Sequence, residues 1–119
     1  MSEVGRSLLG ALAAGALLAA LAGGVQAHDY PTETIADYVF ACMASNGQTQ
    51  EALKKCSCSI DVIASILPHE EYVQGETVLR MRQVPGGGEK MAIFRDTVVA
   101  KDAVDRLKRA QVEAELRCF

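Results

Sequence analysis

Acidic side chains recur every fourth residue at one place in the chain, at Asp29, Glu33 and Asp37. In a helix this spacing places Glu33 and Asp37 on one face, with Asp29 just before them. Clustered carboxylates are suitable ligands for a hard cation, which binds oxygen donors. The helix dipole also favours acids near a helix N-terminus, which would explain Asp29 and Glu33 without any metal. We expect a metal site here, and that alternative stays open.

More oxygen donors are expected nearby if the first two helices form an antiparallel hairpin. The start of the first helix then lies beside the end of the second, where His69, Glu70 and Glu71 follow, and Asp61 approaches the same end. The spacing of these acids is not that of an EF-hand loop. The predicted metal ligands are Asp29, Glu33, Asp37, Glu70 and Asp61.

The segment KKCSCSID, residues 54–61, contains two of the four cysteines. On an intact helix Cys56 and Cys58 point about 200° apart, which prevents a bond between them or a shared metal ion. A redox role would need a broken helix, and a thiolate metal site would need reduced thiols, so two structural disulfides are preferred. Four cysteines allow three connectivities. Height along the predicted hairpin favours Cys42 with Cys56 and Cys58 with Cys118.

Catalytic signatures are absent from the sequence, which has no His-Glu-x-x-His, Gly-x-Ser-x-Gly or Cys-x-x-Cys pattern. His28 and His69 are the only histidines, so few groups could serve acid–base or nucleophilic catalysis. We therefore expect that the protein is not an enzyme. A copper site is an alternative, because a chain cleaved before His28 would offer its α-amine and imidazole, with His69 as a third ligand.

Residues 1–27 have the pattern of a secretory signal peptide, with cleavage expected after Ala27 and an uncleaved anchor as the alternative. Residues 28–119 keep 14 of the 15 acidic side chains and 11 of the 12 basic ones, because only Glu3 and Arg6 are lost, so their net charge stays −3. We expect a single exported, periplasmic domain that is cross-linked by disulfides. Neither stable membrane association nor nucleic-acid binding is expected.

Helical periodicity continues through the whole of this domain. The helices are expected at 33–45, 49–67 and 69–83, the third being weaker because Gly75 lies in its interior, and a last helix begins near Val99 after a short apolar turn. The predicted fold class is all-α, a small disulfide-stapled bundle of about four helices.

The second helix is expected to lie at the centre of the bundle, because apolar side chains cover two of its sides. One side carries Leu53, Cys56, Ile60, Ile63 and Leu67, and the other carries Cys58, Val62 and Ile66. The last helix has one regular apolar stripe, formed by Ala100, Ala103, Val104, Leu107, Ala110, Ala114 and Cys118. Its outer face carries three acid–arginine pairs at i,i+4, namely Asp102–Arg106, Asp105–Arg109 and Glu113–Arg117.

Three segments resemble a known family of small exported proteins: Ala41-Cys42-Met43, residues 55–61 with their Cys-Ser-Cys pattern, and residues 115–119 with a cysteine before the last residue. They are similar to LanD-type lanthanide-binding proteins of methylotrophic bacteria, found beside genes for lanthanide uptake and for alcohol dehydrogenases that depend on pyrroloquinoline quinone (PQQ). The resemblance implies a periplasmic metallochaperone that binds a lanthanide through oxygen donors, with calcium as a substitute and a metal-bridged homodimer as one assembly.

A competing hypothesis needs no metal. The protein would then be a periplasmic interaction partner that docks on a quinoprotein dehydrogenase, or stabilises its assembly, through the apolar surface of the third helix.

Overall fold

The computed structural model describes residues 28–119, and the predicted signal peptide lies outside the described residues. No strand occurs in this part of the chain, so the predicted all-α class is confirmed. None of its helices is both long enough and apolar enough to cross a membrane. In chain order the helices are α1 (Thr32–Asn46), α2 (Gln50–Ile66), α3 (His69–Arg82), a 3₁₀ turn (Gly88–Met91), α4 (Ala92–Asp96) and α5 (Val98–Cys118).

Threonine caps fix where two of the long helices begin. The Thr49 side chain accepts a hydrogen bond from the backbone N of Ala52 at the start of α2, and Thr97 does the same for Ala100 at the start of α5. Each bond satisfies one of the N–H groups that a helix leaves unpaired at its first turn. Helix α1 ends at Asn46 and is capped by Gly47, whose φ of 106° favours glycine.

Helices α1 and α2 form the predicted antiparallel hairpin. The hydroxyls of Tyr38 and Ser59 are 2.7 Å apart, and the Tyr30 hydroxyl donates to the carbonyl of Leu67 at 2.8 Å. The residue numbers rise on one helix as they fall on the other, as an antiparallel pair requires. Ser59 is buried and satisfied by this bond, in keeping with the usual pairing of buried polar groups.

Both predicted disulfides are confirmed. Cys42 on α1 is bonded to Cys56 on α2, and Cys58 on α2 is bonded to Cys118 on α5; the Cα atoms are 5.8 Å apart in each pair. Because Cys56 and Cys58 point in opposite directions, α2 is joined to a neighbour on either side. The central position predicted for α2 follows from these two bonds and from its packing against α1 and α5.

Helix α5 packs along both α2 and α3, and its predicted stripe forms much of the core. Six of the seven predicted positions are fully buried: Ala100, Ala103, Val104, Leu107, Ala110 and Ala114. At Gly75 on α3, a Cβ atom would lie 2.9 Å from both Cβ and Cδ2 of Leu107. Gly75, expected only to weaken α3, therefore permits the close approach of α3 and α5.

Some predicted apolar positions are exposed. Leu53 and Ile66 of α2, which the helical projection places on its two apolar sides, remain accessible to solvent. The second apolar side of α2 is therefore narrower than the helical projection predicts.

The outer face of α5 carries two of the three predicted ion pairs. Arg106 lies 2.8 Å from Asp102, and Arg117 lies 2.7 Å from Glu113. The pairing predicted between residues 105 and 109 is wrong for this structure. Arg106 also contacts Glu71 of α3 at 2.9 Å, so its guanidinium links the two helices.

Candidate functional site

An open cleft of about 320 Å³, which we call the acidic cleft, lies between α1 and α3. Glu33 and Asp37 line it from α1, and Glu76 lines it from α3. Because residues four apart share a helix face, the first two carboxylates lie on one wall, as their spacing predicts. The cleft thus collects three carboxylates from two helices.

Arg80 of α3 is the cation inside this cleft. Its Nη2 lies 3.3 Å from Oδ2 of Asp37, and its Nε lies 3.9 Å from Oε2 of Glu76. The same guanidinium therefore contacts carboxylates on both helices. The Arg80 side chain is 70% exposed, so water screens these ion pairs and each is weak.

Burial raises the pKa of the Glu76 carboxyl above its ordinary value, because desolvation disfavours the charged form. Arg80 partly reverses this rise, and the negative charge of Asp37 adds to it. The Glu76 side chain is 27% exposed. Its ionised form is therefore incompletely compensated and would be stabilised by a further positive charge.

Tyr72 forms part of the same cleft. The residue is only 7% exposed and lines both the acidic cleft and an adjoining cleft of about 390 Å³ that extends to α5. Its hydroxyl makes no hydrogen bond to any residue from 28 to 119. Burial, followed by the charge of nearby Glu76, raises the pKa of this phenol, so it is neutral at physiological pH.

Asp29, a predicted metal ligand, lies elsewhere. Both of its carboxylate oxygens are 3.4 Å from the backbone N of His69, at the first residue of α3. Pro68 precedes that helix and provides no side-chain cap. Asp29 therefore lies where the dipole of α3 favours an acidic side chain. A helix dipole accounts for Asp29 without a metal, as the alternative explanation holds, but the helix is α3 and not α1.

The other two predicted ligands are also outside the acidic cleft. Oδ1 of Asp61 lies 3.9 Å from Nε2 of His28, and Glu70 is exposed in the first turn of α3. The five predicted ligands are therefore divided among separate places. Within residues 28–119, no three His, Cys, Asp or Glu side chains lie close enough together to hold one metal ion as they stand.

The histidines of the copper alternative are engaged in other contacts. Nδ1 of His28 accepts a hydrogen bond from the backbone N of Tyr30 at 3.3 Å, and Nε2 of His69 lies 3.1 Å from the hydroxyl of Thr34. Both imidazoles pack edge-on against the Tyr30 ring, with centroids 5.8 and 5.1 Å away. A copper site would have to replace these contacts.

The sequence reasoning missed three residues of the cleft: Tyr72, Glu76 and Arg80. One signal was available, because Glu76 and Arg80 have the i,i+4 acid-to-base spacing that favours a pair on one helix face. Which face of α3 meets α1 depends on how the helices pack, and no local pattern specifies that.

A second surface feature is an apolar groove of about 550 Å³ formed by α3, α4 and the start of α5. Val73, Ile93 and Val99 line it and are exposed to solvent. Apolar side chains that are grouped in this way, instead of scattered singly, are typical of interaction surfaces.

No known protein family, characterised protein or solved structure matches the chain.

Proposed function

We propose that this is an exported protein that binds a hard cation, with a lanthanide as the leading candidate, in the acidic cleft. It would act as a periplasmic metallochaperone in lanthanide uptake or in delivery to a PQQ-dependent alcohol dehydrogenase. The observation that carries the proposal is the presence of Glu33, Asp37 and Glu76 in one open cleft. The family resemblance supports the identity of the metal and the role in delivery.

The charge and hardness of a trivalent lanthanide suit this cleft. When ionised, its three carboxylates carry three negative charges and Arg80 carries one positive charge, so the cleft has a net charge of −2 that attracts a cation. Lanthanides resemble calcium in preferring oxygen ligands and in accepting high coordination numbers, so an open cleft leaves positions for water or for a second protein molecule. Calcium should bind more weakly, because its lower charge gains less Coulomb energy from the same carboxylates.

Cation binding requires a change in the cleft, because its carboxylates do not converge on one point in the free protein. Asp37 is turned towards Arg80. Glu33 and Asp37 are exposed and can change rotamer at little cost, whereas Glu76 is half-buried and less free to move.

The chain contains three tyrosines and no tryptophan, which allows terbium luminescence to locate the ion. Energy transfer from a phenol to Tb³⁺ falls steeply with distance. We expect sensitised emission that persists in Tyr30→Phe, since Tyr30 lies beside Asp29 and His69, and that is lost in Tyr72→Phe. Emission that depends on Tyr30 instead would place the ion at the start of α3.

Calorimetric titration with La³⁺ and Ca²⁺ tests the ligands themselves. We expect Glu33→Ala/Asp37→Ala to weaken La³⁺ binding at least about 10-fold, since each lost charge-assisted contact is worth more than a neutral one. Glu51→Ala/Asp105→Ala removes the same charge at exposed positions that line neither cleft, and serves as the control. Equal affinities of the two variants for La³⁺ would exclude the acidic cleft as the binding site. Failure of the wild type to bind La³⁺, Ca²⁺ or Cu²⁺ would exclude every metal hypothesis.

The metal-free hypothesis remains a second candidate because the apolar groove includes Val73 of α3, the helix whose apolar surface was expected to dock on a partner. Under this hypothesis Ile93→Glu/Val99→Glu should abolish binding to a purified quinoprotein dehydrogenase without metal. Phe40→Glu, at an exposed position outside the groove, is the control. Binding that is unaffected by the groove variant would exclude this surface.

A further inference from the structure

The solvent-exposed face of α5 carries a row of side chains at alternating spacings of four and three residues. This is the spacing of the contact line between two paired helices. The row lies opposite the buried stripe and consists of Val98, Asp102, Asp105, Arg109, Val112 and Leu116, all exposed to solvent. We call it the α5 seam. We propose that the α5 seam packs antiparallel on the same seam of a second copy, in a homodimer that needs no metal.

A two-fold axis beside Leu107 makes the α5 seam complementary to itself. In an antiparallel pair with this symmetry, each residue faces the one that lies equally far on the other side of the axis in the second copy. Asp105 and Arg109 lie two residues before and after Leu107, so each faces the opposite charge twice across the axis. Val98 and Leu116 lie nine residues before and after it, so apolar side chains face each other at both ends.

The charges at the centre of the α5 seam are not used within one molecule. The other two acid–arginine pairs of α5 form, whereas neither Asp105 nor Arg109 makes an ion pair with any residue from 28 to 119. Together with Lys108 and Val112 they line a shallow depression of about 450 Å³. The second copy would place a carboxylate beside each free guanidinium. These reciprocal pairs fix the register and direction of the two helices more than they add affinity.

The apolar side chains of the α5 seam supply the attraction. Val98, Val112 and Leu116 are 81, 56 and 77% exposed, and pairing removes them from water. Asp102 lies at the margin and keeps its ion pair with Arg106. Helix α5 has 21 residues and is about 30 Å long. One helix pair of this length falls below the roughly 1,200 Å² at which stable interfaces begin, so we expect weak association, with a micromolar or higher Kd.

Cation binding and this dimer are independent, because the α5 seam shares no residue with the acidic cleft. Sedimentation velocity of the protein purified after export tests the dimer in the presence of EDTA, which excludes a metal-bridged pair. We expect the weight-average mass to rise from one copy towards two as the concentration is raised to about 1 mM. A wild type that stays monomeric throughout, or that dimerises only without EDTA, would overturn the inference.

Charge reversal tests the register. Asp105→Arg and Arg109→Asp each place like charges opposite one another at both central positions, so each should weaken dimerisation at least about 10-fold. Glu51→Arg reverses an exposed acid on α2, outside the α5 seam, and should dimerise as the wild type does. Dimerisation of either seam variant with wild-type affinity would overturn the inference.

A mixture of the two seam variants provides the sharpest test. In the mixed pair Asp105→Arg faces the unchanged acid and the new acid of Arg109→Asp, so opposite charges meet at both positions again. We therefore expect an equimolar mixture to form heterodimers with near wild-type affinity, although each variant alone is monomeric. A mixture that stays monomeric would overturn the inference. Circular dichroism of each variant establishes that it is folded.

Discussion

Replacement of Gly75 by alanine tests how closely α3 and α5 approach. Two effects of opposite sign compete at this position. Alanine favours a helix over glycine by about 1 kcal/mol. Against this, the added methyl group would lie 2.9 Å from Cβ and Cδ2 of Leu107 and 3.0 Å from the carbonyl oxygen of Ala103.

The steric effect should be larger than the gain in helix propensity. Leu107 is fully buried and cannot move aside freely, and the oxygen of Ala103 belongs to the α5 backbone. Inserting a methyl group into a packed core costs about 1–3 kcal/mol. Because contacts of 2.9 Å force buried atoms to shift, the upper part of this range applies, about 2–3 kcal/mol. After subtraction of the propensity gain of about 1 kcal/mol, we expect Gly75→Ala to destabilise the fold by about 1–2 kcal/mol, which is a fall in Tm of about 5–15 °C for a domain of this size.

Chemical denaturation followed by circular dichroism measures this difference. Gln74→Ala, at the adjacent exposed position, controls for the presence of alanine in α3. In both variants the free energy of unfolding should fall with denaturant concentration at the wild-type slope, which shows that the same surface is exposed on unfolding. If Gly75→Ala were as stable as wild type, or more stable, the contact between α3 and α5 would be looser than the structure indicates.

Two further predictions concern the staples and the cleft. Removal of Cys58–Cys118 by alanine substitution should cost about 4 kcal/mol and removal of Cys42–Cys56 about 3 kcal/mol, because the loops span 60 and 14 residues and do not overlap; the reverse order in denaturant unfolding would contradict this account. Glu76→Gln should raise Tm at neutral pH but not below the ordinary pKa of glutamate. The pKa of Glu76 is raised in the folded state, so ionisation of this carboxyl lowers the stability of the fold as the pH rises above the ordinary pKa of glutamate. A larger gain in acid, measured by thermal unfolding at both pH values, would show that the sign is wrong.

The sequence predicted the scaffold better than the cleft, for physical reasons. Apolar periodicity is a property of a single helix, and it was sufficient for the core stripe of α5. The disulfide pairing needed only one further assumption, that the first two helices form an antiparallel hairpin. The acidic cleft depends instead on which face of α3 meets α1. Glu33 and Asp37 stay together because both lie within α1, whereas Asp29 precedes that helix and turns to the start of α3.

The role of Gly75 could not be recognised for a related reason. In the sequence, glycine in a helix indicates a loss of propensity, and only the packed structure reveals that Leu107 occupies the space of a side chain. The Asp37–Arg80 pair could not be recognised from the sequence either, because its two residues are 43 positions apart and meet only when the helices pack together.

The two walls of the acidic cleft differ in how firmly they are held. The α3 wall carries Tyr72 and Glu76 and packs against α5 through Gly75. The α1 wall buries no residue completely; it packs on the core through the half-buried Ile35, Tyr38 and Val39 and is joined to α2 by one disulfide. Segments with little buried surface open more readily than packed ones. The α3 wall, which carries Glu76, is therefore held more firmly than the α1 wall, which carries Glu33 and Asp37; under the proposed function, binding of an ion would move the α1 wall more than the α3 wall.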